Sequence, residues 1–317
     1  MIDLAAIQHA QTRIAPYVRR TPTVASETLS ARLGARVYLK LELFQKTGSF
    51  KPRGAFNQML SLDDAARKRG VVAVSGGNFA QAVAYAGKTL GVATRILMPA
   101  FTPKNYLDAT QAYGAQIELH PDLQAAFDAA APHRERGFVF LHPYDDPLAM
   151  AGYGTIGLEL LDEIPALTDV IVSVGGGGLL SGIASAIKAR KPDTRVWSVE
   201  TAGADTLGRA LKAGQVVPMK PTSLAKTLGA PVVSATALRI AQTHIAEHLI
   251  VSDRDAYRAQ RFILERAKVL TELAASCTLA AAEQIQNHFM RDSHVALVLC
   301  GGNVSLDDVA AYKKQFE

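Results

Sequence analysis

Four consecutive glycines, Gly175 to Gly178, constrain the fold of this chain more than any other feature. A β-branched run at 169–174 precedes them, and apolar residues at helical spacing follow at 179–187. Without Cβ atoms in the turn, backbone N–H groups can converge on an anion at the positive end of the helix dipole. We interpret the segment as a phosphate-binding turn, because a simple tight turn needs only one or two glycines.

The residues after the glycines narrow the type of phosphate site. A P-loop requires Lys followed by Ser or Thr, but Leu179 and Leu180 follow here. The dinucleotide pattern requires a third glycine at a position that Leu180 or Ser181 occupies, although Glu200 lies where an acid would bind a ribose. A nicotinamide-dependent oxidoreductase therefore stays an alternative, and a second feature has to decide.

Lys51 is that second feature, because its segment is typical of a helix start. Pro52 suits the first helical turn, and we expect Ser49 to cap the helix. The helix N-terminus and the apolar neighbour Phe50 both disfavour an ammonium, so we expect a lowered pKa for Lys51. A partly neutral lysine can form a Schiff base with an aldehyde. Together with a phosphate turn, it indicates a site for pyridoxal 5'-phosphate.

Two further strand-to-turn segments fit this cofactor. The apolar run 71–74 leads into the Gly-containing turn 75–79, whose N–H groups and side chains suit a carboxylate and a ring hydroxyl. The apolar run 295–299 leads into a second such turn at 300–303. Parallel α/β sheets bind ligands at the carboxyl ends of their strands, which is where both turns would lie.

These segments together resemble the fold-type II pyridoxal-phosphate enzymes, specifically the serine/threonine dehydratases. The resemblance covers nearly the whole chain, and its motifs occur in family order at 48–55, 75–81, 151–155, 174–178, Glu272 and 300–303. It implies an α/β fold of two domains with parallel-rich open sheets, as in tryptophan synthase β-like proteins. It also implies a large cofactor-binding domain at 1–47 and 146–317 and a small domain at 48–145.

The resemblance assigns roles by position. It implies that Lys51 holds the cofactor and later removes the substrate α-proton, and that Glu272 is catalytic near the ring or the leaving group. From sequence alone, an exposed carboxylate at a helix end is almost as good an interpretation of Glu272. The implied cofactor-binding residues are Lys51, Phe50, Asn78, Gly175, Gly176, Gly177, Gly178 and Cys300, with Cys300 facing the pyridine nitrogen. The implied substrate-binding residues are Ser75, Gly76, Gly77, Asn78, Phe79 and Tyr153.

Departures from the family pattern concern the substrate. Phe79 replaces a usual His, Tyr153 replaces a usual Gln, Lys226-Thr227 replaces an acid–Gly pair, and Leu273 replaces a Pro. Two aromatic rings favour a substrate bulkier than serine, such as phenylserine, whereas packing of Phe79 into a core would leave threonine or serine.

Gly76 and Glu200 bear on two further activities. Racemases of the family carry a Ser where Gly76 stands, so we expect little racemisation. Glu200 and the Ala204 carbonyl match two ligands by which relatives bind Mg²⁺ or Ca²⁺, but Thr206 occupies the place of the third. A single matched carboxylate makes a weak site for these cations, so we do not expect a metal.

Composition excludes several other classes of protein. The 317 residues are 49% apolar and 20% charged, without an apolar run of about 18 residues, so we expect no membrane span. The net charge of +5 comes with only short basic clusters, which does not favour nucleic-acid binding. Two cysteines cannot build a disulfide framework and no signal peptide is evident, so we expect a cytoplasmic protein. We expect no regulatory domain after residue 317, and a homodimer is a family-level expectation.

The sequence therefore predicts a pyridoxal-phosphate-dependent ammonia-lyase. We expect it to dehydrate and deaminate a β-hydroxy amino acid such as threonine or serine to a 2-oxo acid and ammonia. A phenylserine-type substrate is one alternative. A nicotinamide-dependent oxidoreductase or a non-catalytic ligand-binding module are alternatives of other classes.

Overall fold

Two separate sheets carry the strands of the chain. The computed structural model describes residues 2–317. In chain order the strands are β1 Thr23–Ala25, β2 Arg36–Lys40, β3 Val71–Val74, β4 Thr94–Pro99, β5 Gln116–His120, β6 Val139–Leu141, β7 Asp169–Ser173, β8 Arg195–Thr201, β9 Glu247–Val251 and β10 His294–Val298. One sheet has the order β1-β2-β10-β7-β8-β9 and the other has the order β5-β4-β3-β6.

Helices alternate with the strands along most of the chain. They are α1 Leu4–Ile14, α2 Glu27–Leu33, α3 Lys51–Leu60, α4 Asp64–Arg69, α5 Asn78–Leu90, α6 Lys104–Ala112, α7 Leu123–Asp128, α8 Ala130–Glu135, α9 Pro147–Glu163, α10 Gly178–Arg190, α11 Thr206–Ala213, α12 Ala235–His244, α13 Asp253–Phe262, α14 Leu273–Gln284 and α15 Leu306–Phe316. Among the described residues, no helix is long and apolar enough to cross a membrane.

The pairing confirms the predicted parallel-rich α/β architecture. Every pairing between neighbouring strands is parallel except that of β1 with β2. The six-stranded sheet uses strands from 1–47 and 146–317, and the four-stranded sheet uses strands from 48–145. The predicted domain boundaries are compatible with this division and stay a prediction.

The apolar runs at 71–74, 169–174 and 295–299 correspond to the buried strands β3, β7 and β10. All residues of β3 and β7 are buried, and their continuous apolar runs are typical of strands covered on both faces. β1, β2 and β9 were not predicted, because charged or polar residues such as Arg36 and His248 interrupt them.

Helix α9 contacts helices from both parts of the chain. It packs against α1, α3 and α10, and most of its residues are buried. Gly152 and Gly157 allow this approach, because a Cβ on either would overlap or press on the backbone of α3 or the side chain of Ala186. The carboxyl ends of β3, β7 and β10 consequently open towards one region, where the predicted site residues follow.

Candidate active site

Lys51 lies at the start of α3, as the sequence predicts. Pro52 occupies the first turn, but the residue that precedes the helix is Phe50, which makes no side-chain cap. The prediction that Ser49 caps the helix is therefore wrong. Ser49 instead has an extended backbone that bridges to Gly301, and its hydroxyl is buried with no hydrogen-bond partner among residues 2–317.

The amine of Lys51 is held in a largely apolar setting. Its Nζ atom donates a hydrogen bond of 2.8 Å to the carbonyl oxygen of Pro143. The rings of Phe50, Phe79 and Tyr153 surround it, with their centroids 4.8, 5.6 and 5.2 Å from Nζ. Burial lowers the pKa of Lys51 to about 7, although the nearby Cys300 and Glu272 oppose that shift. A substantial neutral fraction near pH 7 is what a Schiff-base lysine requires.

The four glycines form the turn between β7 and α10. Gly177 has a φ of +89°, and α10 begins at Gly178 without a side-chain cap. A Cβ on Gly176 would overlap the ring of Tyr144, and a Cβ on Gly178 would lie 2.8 Å from the Tyr144 carbonyl. The turn is therefore closed to side chains for reasons of space.

This turn has the properties of an anion cradle. The N–H groups of Gly176, Gly177 and Gly178 have no hydrogen-bond acceptor among residues 2–317. They lie at the N-terminus of a 13-residue helix, where the helix dipole favours negative charge. The donor set fits a cofactor phosphate at Gly175 to Gly178.

Cys300 follows β10 and is buried beside Lys51. Burial raises the pKa of its thiol to about 12, so the side chain is a neutral thiol. The Ser173 hydroxyl, at the end of β7, lies 3.5 Å from its sulfur. The backbone N–H of Phe50 donates to the Cys300 carbonyl at 3.0 Å, which joins the start of α3 to the end of β10. A neutral group at this place fits the predicted partner of a pyridine nitrogen.

Glu272 is a buried residue that immediately precedes α14, and it is not an exposed carboxylate. Its oxygens accept hydrogen bonds from Asn78 Nδ2 at 2.9 Å, Thr227 Oγ1 at 2.6 Å and the backbone N–H of Asn303 at 2.9 Å. Burial raises the pKa of Glu272, while these three donors and the charge of Lys51 act against that rise. Sequence alone left open whether Glu272 is an exposed carboxylate at a helix end, and the structure shows that it is buried.

Asn78 connects Glu272 to the first residues of α5. Its Nδ2 donates to Glu272, and its Oδ1 accepts from Asn303 Nδ2 at 2.8 Å. Asn303 Nδ2 also donates to the Thr47 carbonyl at 2.7 Å. The predicted contact of Asn78 with a cofactor ring hydroxyl stays a prediction, and the amide is oriented on both sides.

The turn after β3 carries the predicted substrate residues. The Ser75 hydroxyl accepts from the Gly77 N–H at 3.1 Å, which stiffens the turn. A Cβ on Gly76 would lie 2.7 Å from Thr102 Oγ1, whereas a Cβ on Gly77 would meet only Thr227 Cγ2, at 3.8 Å. The turn therefore leaves open space on the Gly77 side, towards Thr227 and Glu272.

Phe79 and Tyr153 are both buried rather than lining a cleft. Phe79 packs with Ala82 and Val83 in the core beside the four-stranded sheet, and its exposed fraction is 2%. Tyr153 is fully buried, and its hydroxyl donates to the Pro143 carbonyl at 3.0 Å. Both rings contact the region of Lys51 but leave little surface for a substrate ring.

Glu200 lies near the carboxyl end of β8, and Ala204 lies in the loop before α11. Glu200 accepts from the N–H groups of Leu207 and Gly208 at 2.9 Å and lies 3.1 Å from Nε2 of His248. Within residues 2–317, no group of three or more His, Cys, Asp or Glu side chains is arranged to hold a metal. His248 belongs to β9.

Sequence analysis gave no role to four contributors to the site. The role of the Pro143 carbonyl cannot be recognised from the side chain of Pro143. Tyr144 gives no signal beyond the two nearby prolines, Pro143 and Pro147. Thr227 did give a signal, since it stands where the family usually has Gly. Asn303 occurs in the last motif, but nothing in the sequence indicates that it joins Asn78, Glu272 and Thr47.

Comparisons with known proteins show the family of the chain. Residues 14–301 match the family described as pyridoxal-phosphate dependent enzyme. The chain belongs to this family. The L-threonine ammonia-lyase of Thermotoga maritima is 38% identical over 311 residues, which cover 97% of this chain and 77% of that protein.

Two solved structures of the family are also close in shape. Maize serine racemase has a TM-score of 0.93 at 32% identity, covering 99% of this chain and 97% of that chain. A threonine deaminase from T.th. has a TM-score of 0.90 at 36% identity, covering 96% of this chain and 99% of that chain. The predicted fold-type II pyridoxal-phosphate assignment is thereby confirmed, and the nicotinamide alternative is wrong.

Proposed function

We propose that this pyridoxal-phosphate enzyme converts threonine or serine to a 2-oxo acid and ammonia. Water leaves across the Cα–Cβ bond, and the same amount of water is taken up when the released imine hydrolyses, so the net products are the oxo acid and ammonia. The observation that carries the proposal is the Lys51 amine, with a pKa of about 7, in the same site as the glycine cradle and Glu272. Relatives named threonine ammonia-lyase and threonine deaminase support the choice of substrate.

Lys51 is the base in this proposal. When bound, the cofactor withdraws electrons from the substrate Cα and so makes its proton acidic. A neutral Lys51 amine can accept that proton, and a pKa near the working pH suits proton transfer in both directions. The Pro143 carbonyl orients the amine, and the three surrounding rings shield one side of it from water.

Cys300 and Glu272 adjust the charge of the site. A neutral Cys300 thiol cannot hold a proton on the pyridine nitrogen as a carboxylate would, which favours rapid loss of the β-substituent. Glu272 is fixed by three donors and lies opposite the turn at 75–78, on the side where Gly77 leaves space. We place it near the departing hydroxyl.

The burial of Phe79 and Tyr153 bears on substrate size. An aromatic pocket needs ring faces that a substrate can cover, and these two residues have exposed fractions of 2% and 0%. Threonine and serine therefore suit the site better than phenylserine. From the two free, buried cysteines we also propose a cytoplasmic location, and from the resemblance we propose a homodimer.

Replacement of Lys51 tests the catalytic role. We expect Lys51→Ala to fold, to lose the visible absorption band of a lysine-bound cofactor, and to lose about 10²–10⁴-fold in kcat. Lys46→Ala is the matched control, because Lys46 precedes the same helix but its amine stacks over Tyr85 outside the site. Native-rate release of 2-oxo acid by Lys51→Ala would rule out the assignment.

Comparison of kcat/KM for threonine, serine and phenylserine tests the substrate. We expect threonine or serine to exceed phenylserine, and Phe79→Leu to preserve the ratio because it keeps an apolar core residue. A preference for phenylserine that Phe79→His abolishes would instead establish the aromatic pocket.

A further inference from the structure

The segment 226–228 touches all three functional parts of the site. Thr227 Oγ1 donates to Glu272 Oε2 at 2.6 Å. On its other side, Thr227 Cγ2 lies 3.8 Å from the position of a Cβ on Gly77. The neighbouring Leu228 backbone lies 3.2 Å from the position of a Cβ on Gly175. A glycine at 227, as in the family pattern, would have neither the hydroxyl nor the methyl that make the first two contacts.

This segment is anchored from outside the site. It forms a short 3₁₀ turn, Lys226–Leu228, and Lys226 Nζ lies 3.1 Å from Asp308 Oδ1. Asp308 in turn belongs to the capping box that Ser305 forms at the start of α15. The position of Thr227 is thus set by contacts that do not involve the substrate or the cofactor.

Glu272 accepts hydrogen bonds from both parts of the chain, those that build the four-stranded and the six-stranded sheet. Asn78 comes from the helix after β3, whereas Thr227 and the Asn303 N–H come from the part of the chain that builds the six-stranded sheet. Two of these donors are side chains. Asn78 belongs to the family pattern, whereas Thr227 stands where the family usually has Gly. Its hydroxyl also makes the shortest of the three hydrogen bonds.

We propose that Thr227 is a positioning residue, which fixes the carboxylate of Glu272 beside the substrate turn and favours its ionised form. The proposal rests on the proposed function, because it assigns Glu272 to the reacting region. A hydrogen bond donated to a carboxylate stabilises the charged form, so its removal raises the proton affinity of the acid. Through Glu272, Thr227 therefore moves the acid limb of the reaction to lower pH, in addition to the contribution of Lys51.

Other titratable groups also face Glu272. Lys51 and Cys300 lie on the cofactor side. Burial raises the pKa values of Tyr106 and Tyr312, and the nearby charge of Glu272 adds to that rise. None of these contacts the Thr227 hydroxyl, since its hydrogen bond goes to Glu272. Replacement of Thr227 by Val, which has the same shape, removes the hydroxyl and leaves these groups in place.

The experiment compares Thr227→Val and Thr227→Ser in the holoenzyme. It measures kcat/KM for threonine between pH 5 and 9, and it measures the pH titration of the visible cofactor band without substrate. We expect Thr227→Val to move the acid limb of both curves upward by about one pH unit, since a hydrogen bond to a charged group is worth about one unit. Thr227→Ser keeps the hydroxyl and should restore the native curves.

A double-variant comparison separates positioning from general destabilisation. With Glu272→Gln as background, Thr227→Val should change the urea midpoint of the apoprotein much less than it does with native Glu272. The proposal is overturned if Thr227→Val and native curves coincide, if the native protein has no acid limb, or if Val has equal effects in both backgrounds. If the native holoenzyme releases no oxo acid from threonine or serine, the proposed function fails, and the spectral titration and urea comparison still decide the role of Thr227.

Discussion

Two Gly-containing turns, each joining a strand to the helix that follows it, differ in what holds them in place. The turn at 75–78 joins β3 to α5, and the turn at 175–178 joins β7 to α10. In the second turn, a Cβ on any glycine would meet neighbouring backbone or side-chain atoms within 3.2 Å. In the first turn, a Cβ on Gly77 would meet only one methyl group, at 3.8 Å.

The difference shows how a similar sequence signal can have two physical causes. The tetraglycine turn is fixed by close packing against Tyr144, Leu228 and Ala237, and it offers only backbone N–H groups to a ligand. The turn at 75–78 instead provides the Ser75 and Asn78 side chains and borders open space. We therefore expect the tetraglycine turn to tolerate no change and Gly77 in the other turn to accept a small change that alters substrate binding.

Gly177→Ala should give the largest effect on stability and cofactor binding. Gly177 has a φ of +89°, which costs a residue with a Cβ about 1–2 kcal/mol, and the added methyl would overlap Ala237. Overpacking adds about 1–3 kcal/mol. Urea unfolding of the apoprotein and titration with the cofactor should show a lower free energy of unfolding and at least about tenfold weaker binding.

Gly91→Ala is the matched control for that prediction. Gly91 also has a positive φ, +67°, but no atom lies within 4 Å of its Cβ position. Its replacement should cost only the backbone strain, about 1–2 kcal/mol, and leave cofactor binding unchanged. Equal losses for Gly91→Ala and Gly177→Ala would show that packing does not fix the tetraglycine turn.

Lys51 connects the two turns, and its titration gives a second, intermediate effect. Its amine lies near the ring of Phe79, which follows the turn at 75–78, and donates to the Pro143 carbonyl. Tyr144, the next residue after Pro143, packs against Gly176 and Gly178 of the tetraglycine turn. Because burial lowers its pKa to about 7, the neutral fraction should rise about tenfold between pH 6 and pH 8 and then level off. The rate at which the apoprotein takes up the cofactor, measured by absorption with Lys51→Ala as background, should follow that curve. A rate that keeps rising to pH 10 would indicate a solvated lysine.

Gly77→Ala should have the smallest effect on stability. Its φ is −144°, and the nearest atom to the added methyl is Thr227 Cγ2, so the free energy of unfolding should change by about 0.5 kcal/mol or less. The KM for threonine should nevertheless rise several-fold, since the methyl enters the space between Gly77 and Thr227. Gly76→Ala provides the contrast, because its Cβ would press on Thr102 and Pro99 and should cost more stability. An unchanged KM would show that substrate does not approach Gly77.

The buried strands and the local motifs could be predicted from sequence because their signals are local. The continuous apolar runs of β3, β7 and β10 identify them, and Lys51 with Pro52 identifies the start of α3. The Ser49 cap was predicted wrongly, because Ser49 is drawn into a backbone bridge with Gly301, far along the chain. No local pattern contains that pairing.

The sequence by itself determined the α/β architecture, the tetraglycine turn between a strand and a helix, the position of Lys51 at a helix start, and the family, since each depends on residue type and order along a short segment. Tertiary structure alone decided that Glu272 is buried, that Phe79 and Tyr153 are packed away, and that Asn303 and Thr227 orient the acid. Those properties depend on which distant segments meet at the carboxyl ends of the strands. A hydrogen bond between Thr227 and Glu272 or between Asn78 and Asn303 exists only when the folded backbone places both partners within about 3 Å.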